Sequence, residues 1–151
     1  MNALGAIVAG LAGTTVMSMV MAMAPLMGMP KMDIVGMLGS MFTQDGNTAL
    51  GWMMHLMMGI IFGLMYAVLW SLHIGAATLV FGALFGIGHW LIAGLIMGGV
   101  PMVHAGVKAG TVQAPGVYMM NNAGTMAFMG GLIGHVVYGL VVALVYGFFI
   151  R

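Results

Sequence analysis

His55, His89, His104 and His135 are the residues of this chain best placed to do chemistry. They stand in stretches without Lys, Arg, Asp or Glu, from Gly46 to Val107 and again from Ala109 to Ile150. An ionisable side chain in such apolar surroundings is costly and counts as a functional candidate by default. Imidazole is a standard axial ligand of haem iron and suits copper. Methionine adds a soft thioether, which favours copper(I). Met17 and Met21 lie four apart and so share one helix face, and Met97 is a third candidate. Two cofactor expectations follow. One is a haem b held between His55 and His135, with His89 close by. The other is a copper site drawn from His55, His89, His104, His135, Met17, Met21 and Met97. A plainer expectation competes with both: each imidazole hydrogen-bonds a carbonyl, Ser, Thr or Tyr across a helix bundle, at about 0.6 kcal/mol per bond.

The elements that must position these side chains are membrane helices. The chain of 151 residues carries three Lys or Arg and two Asp or Glu, and 63% of it is hydrophobic. Its mean hydropathy is +1.17. There is too little polar side chain to cover a water-soluble surface, so the surface must face lipid. The expected fold is all-α, a single domain over 1–151 with four transmembrane helices at about 3–26, 48–70, 75–99 and 125–149. Each is near the roughly 20 residues that cross a bilayer. The first run lacks a basic leader, so it reads as a retained helix rather than a signal peptide. The second and third spans are joined by a short turn holding His73 and should be antiparallel neighbours. The other two connections are long and rich in turn residues, among them Pro30, Gly46, Gly110, Pro115 and Gly116. In the first of them, the segment 33–42 spaces Ile34, Met37, Leu38 and Met41 as a short interfacial helix would.

The spans show an internal repeat. Gly51, His55, Gly59, Gly63 and Tyr66 match Gly131, His135, Gly139, Ala143 and Tyr146 at a shift of 80. Gly10, Met21 and Pro25 match Gly86, Met97 and Pro101 at a shift of 76. This predicts two similar helix pairs related by an axis along the membrane normal. Residues four apart share a helix face, so the histidines lie on stripes of small residues. Such stripes mark contact faces in membranes, because backbones can approach closely there. His55 and His135 lie about 10–15 Å in from the long-connection ends, and His89 lies at a matching depth. In an up-down-up-down ring the second and fourth spans are diagonal, with small residues leaving room for a flat macrocycle. A further stripe, Gly94-x3-Gly98, is available for contact with a partner helix.

Several function classes are excluded. Without cysteine there are no disulfides or thiolate metal sites. A formal net charge of +1 offers no basic patch for nucleic acid. No phosphate loop, His-Glu-x-x-His or paired carboxylates occur, and Ser18, Ser40 and Ser71 have no recognisable His/Asp partners. An enzyme acting alone is not expected. Lys31 and Lys108 lie on one side, the N-terminus and Arg151 on the other. Two positive groups on each side give no orientation.

Met17-x3-Met21 resembles the Met-x3-Met of CTR-type copper transporters, although those have three helices and form trimers. A longer resemblance covers most of the chain. Gly13-Thr14-Thr15-Val16-Met17, Met29-Pro30-Lys31-Met32-Asp33, Gly51-Trp52-Met53-Met54-His55, the run from Gly86 through His89, Met97 and Pro101 to His104, and Gly134-His135-Val136-Val137-Tyr138-Gly139 resemble a group of small uncharacterised four-helix bacterial membrane proteins. That resemblance implies the four-helix architecture and no activity. The leading functional expectation is a small accessory subunit of a larger membrane complex, or a homo-oligomer, in the bacterial inner membrane, bearing haem b or copper. A cofactor-free assembly subunit is the alternative. A copper or small-solute transporter is the third.

Overall fold

The computed structural model describes residues 1–150; Arg151, counted above for orientation, lies outside them. Among the described residues there are helices and turns and no strand. Four helices are long and apolar enough to cross a membrane, over Ala3–Met27, Thr48–Ser71, Leu79–Met102 and Val117–Phe149. Helix α1 (Ala3–Met23) starts at Asn2, whose side chain accepts from the Gly5 N–H at 2.9 Å. It tightens into a 3-10 turn at Ala24–Met27 and stops at Gly28, whose φ of 77° suits glycine. Helix α2 (Ile34–Gly39) is capped by Asp33, which accepts from the Gly36 N–H at 2.8 Å. This is the short helix expected within 33–42. Helix α3 (Thr48–Ser71) is capped by Asn47.

Helix α4 (Leu79–Ile96) begins later than the expected 75. Gly75 at φ 81° and His73 at φ 63° take left-handed conformations that end the preceding turn, and Thr78 caps the new helix. The helix then runs through a 3-10 segment, Met97–Met102, that contains Pro101. Helix α5 (Ala105–Lys108) is one turn. Helix α6 (Met120–Phe149) is interrupted at Ala123 and Gly124, so its regular part is 125–149.

The close backbone contacts are α3 with α1, α1 with α6, and α6 with α4; α2 packs on α3. Two crossings set this geometry. At the first, a Cβ added to Gly10 would strike the Gly59 carbonyl, and one at Gly63 would lie 2.7 Å from the Ala6 carbonyl oxygen. At the second, a Cβ at Gly82 would lie 2.5 Å from the Gly139 carbonyl oxygen, and one at Gly86 would strike the His135 carbonyl. On the fourth side of the ring α3 and α4 are neighbours, as expected, through side chains. The α3 and α4 backbones stay apart, and aromatic side chains fill the space between them. Phe62 stacks on His89 at 3.7 Å between ring centroids, Tyr66 meets Phe85 at 5.1 Å, and Trp70 stacks on Phe85 at 5.7 Å.

The two long connections pack together on one side. Ala105 N donates to Met41 O at 2.9 Å and Gly106 N to Ser40 O at 3.1 Å. His104 belongs to this joint. It is 0% exposed; its Nε2 donates to Met37 O at 2.8 Å, and its Nδ1 accepts from Val107 N at 3.1 Å. Both ring nitrogens are therefore used, Nε2 in tying the connections together and Nδ1 in capping α5. The Gly94-x3-Gly98 stripe is likewise taken up within the chain. Gly94 lies against the Tyr118 ring and Gly98 against Val117, because the 3-10 turn Val117–Met119 folds back over α4.

Replacing Gly86 by Leu should lower stability by about 1–3 kcal/mol through overpacking, read as the thermal midpoint in detergent. Gly88→Leu, which faces open space, should change it little. Replacing His104 by Ala leaves the Val107 N–H unpaired and takes one of its donors from the Met37 carbonyl, which keeps Ser40, and should cost about 1–3 kcal/mol. It should leave metal uptake by the bundle interior unchanged in a copper(I) titration.

Candidate intramembrane histidine–methionine site

Stripes on all four spanning helices turn toward one internal cavity of about 70 Å³. Met17 and Met21 reach it from α1, His55 from α3, His89 from α4, Met97 from the end of α4, and His135 from α6. Six of the seven proposed ligands therefore line one cavity. His104, in the loop joint, is separate from it. His73 lies in the exposed turn after α3.

Each of the three inward histidines has one ring nitrogen in a hydrogen bond within the protein. The Ser18 hydroxyl donates to Thr14 O at 2.7 Å, which leaves its oxygen to accept from His55 Nε2–H at 3.1 Å. His55 Nδ1 then carries the lone pair. His135 Nδ1–H donates to the Gly131 carbonyl, one turn earlier, at 2.8 Å, so its Nε2 carries the lone pair. His89 Nδ1 lies 3.4 Å from the Tyr66 hydroxyl. The rings are packed on one another. His89 meets His135 edge-on at 4.6 Å, and His135 leans on Trp90 at 5.0 Å. In the middle of the bundle, the Tyr138 hydroxyl donates to Gly59 O at 2.6 Å.

This arrangement resembles the usual support of a metal-bound imidazole, in which the second ring nitrogen donates to a carbonyl or another acceptor and so fixes the tautomer. No carboxylate lines the cavity. Among the described residues no three His, Asp or Glu side chains are placed to hold one ion. Any site here must therefore combine imidazole with thioether, and neutral donors of that kind suit a soft monovalent cation such as copper(I).

The cavity between His55 and His135, at about 70 Å³, is smaller than the macrocycle of the haem expectation. Pockets for drug-sized ligands run from about 300 to 1,000 Å³, and a porphyrin is no smaller. The room that small residues were expected to leave is filled. The Trp90 ring covers Gly131, the Thr14 side chain covers Gly59, and the backbone of α2 covers Gly51.

Three further methionines line the cavity that the sequence did not single out, Met32, Met58 and Met119. Met58 follows His55 by three and shares its face, a signal that was available. Met32 comes from the connection after α1 and Met119 from the 3-10 turn before α6, and neither carries such a signal. An open groove of about 560 Å³ runs beside the cavity and shares Met21, Met32, Ile34 and His55 with it. Lys31, Asp33 and Trp52 border the groove, so it reaches the cavity from the side of the long connections.

No curated protein and no solved structure matches the chain. One family pattern covers residues 1–151, in keeping with the resemblance noted from the motifs. The chain belongs to this family, the family of unknown function DUF6789.

Proposed function

We propose that this protein is a bacterial inner-membrane subunit that holds copper(I) in its histidine–methionine cavity. The observation that carries this reading is convergence: His55, His89, His135, Met17, Met21 and Met97 come from four helices and line one small cavity. The hydrogen bonds of His55 and His135 add support, since each leaves one nitrogen free to coordinate. The protein acts as an accessory subunit of a larger membrane complex or as a homo-oligomer, not as an enzyme on its own. The internal repeat belongs to the same reading. Gly10 crosses Gly59 in one helix pair, and their counterparts Gly86 and Gly139 pack together in the other, at the shifts of 76 and 80 that relate the halves.

A cofactor-free assembly subunit is the second reading. It is favoured by the internal partners of all three imidazoles and by the stacking of His89 on Phe62. Copper transport is the third, favoured by the groove that reaches His55 from the surface.

Anaerobic titration of the detergent-purified protein against a chromophoric copper(I) chelator separates these readings. The copper reading predicts tight uptake that falls by at least about tenfold in affinity, or 1.4 kcal/mol, when His55 and His135 are both replaced by Gln. Affinity unchanged by that pair of substitutions would sink it. A Soret band in the purified protein would favour haem over copper.

A further inference from the structure

Outside the histidine cavity, methionines gather a second time. Met21, Met27, Met29, Met32 and Met126 surround a cleft of about 40 Å³ between the end of α1, the connection after it and the start of α6. The chain is turned into this arrangement by its backbone. Pro25 opens the 3-10 turn, Gly28 reverses direction at φ 77°, and Gly28 N and Met29 N donate back to Pro25 O and Ala24 O, both at 3.1 Å. Gly130 on α6 supplies the opposite wall. A Cβ there would lie 3.0 Å from Met32 Cε, 3.4 Å from Met29 Cε and 3.7 Å from Met32 Sδ. Two thioether ends therefore meet over a residue with no side chain.

We propose that this cleft is a second metal site, made of thioethers alone, which takes copper(I) or silver(I) and hands it to the histidine cavity. The donor set chooses the ion. No carboxylate or imidazole lines the cleft, so hard cations, which take oxygen ligands, have none there. Neutral thioethers are soft and favour copper(I). Gap filling, the ordinary use of methionine, explains a buried cluster better than this one. Met27 is 69% exposed and Met126 is 50% exposed, so both sit at the mouth rather than in a core. Met21 and Met32 line the cleft and the cavity alike. An ion can thus pass from one to the other by exchanging ligands, with no change of oxidation state and no release into lipid.

The test is the stoichiometry of anaerobic copper(I) binding to the full chain in detergent. Wild type should bind two ions. The triple variant Met27→Leu, Met29→Leu, Met126→Leu should bind one. Met21 and Met32 are kept because they also serve the cavity, and Leu for Met conserves volume, so the fold is retained. The His55→Gln, His135→Gln variant should also keep one ion, with a sulfur-only first shell by X-ray absorption. Two ions retained by the methionine variant would overturn the cleft site. So would a wild type that binds a single ion lost in the histidine variant, a result that leaves the cavity reading standing. Loss of one ion only in the methionine variant, with none lost in the histidine variant, would support the cleft and overturn the cavity.

Discussion

Lipid offers no hydrophobic drive for one apolar helix to join another, so this bundle must be held by close packing and internal polar contacts. The backbone crossings supply that packing. Gly10 against Gly59 and Gly63 draws α1 onto α3, and Gly82 and Gly86 against Gly139 draw α4 onto α6. A side chain at any of these points would enter a neighbouring helix. The contact of α1 with α6 then joins the two pairs. Once three sides of the ring are fixed this tightly, the fourth takes up the slack, and large rings fill the space between α3 and α4. The cavity sits where this aromatic wall meets the histidine stripes.

The chemistry available to the site is decided by what the crossings leave over. Space for a flat macrocycle would require helices held apart on the diagonal between His55 and His135. Tyr138 reaches across that diagonal to the Gly59 carbonyl, and Trp90 and Thr14 line the cavity beside it. What is left is a small cavity lined by imidazoles that Ser18 and the Gly131 carbonyl orient. The absence of a carboxylate from the lining removes the counter-charge a hard divalent cation would need. The groove beside Lys31 and Asp33 gives the cavity a mouth on the side of the long connections, while Tyr66, Trp70 and Tyr146 pack tightly toward the opposite end.

The spans and their buried faces were legible because both follow from period and composition. The stripe Gly51, His55, Gly59, Gly63 and Tyr66 is buried as its spacing implied. So is the convergence of His55, His89 and His135, since each lies on a small-residue face at similar depth. Features that depend on tertiary contacts were not legible. The late start of α4 rests on left-handed His73 and Gly75. The filling of Gly94 by Tyr118 depends on a fold-back some twenty residues away in sequence. His104 shares the chemistry of the other histidines, and only its bonds to Met37 and Val107 separate it from them. Glycine next to histidine has the same spacing whether it leaves room or admits a neighbouring helix, and here it admits neighbours.

On the proposed function, the ring nitrogens that the hydrogen bonds of His55 and His135 leave free bind a common ion. Nitrogen-15 NMR of histidine-labelled protein titrated with silver(I), a diamagnetic stand-in for copper(I), tests this most directly. The account predicts large shifts at His55 Nδ1 and His135 Nε2, with His104 and His73 unmoved. Ring nitrogens that stay in place throughout the titration, or shifts confined to His104 or His73, would contradict it.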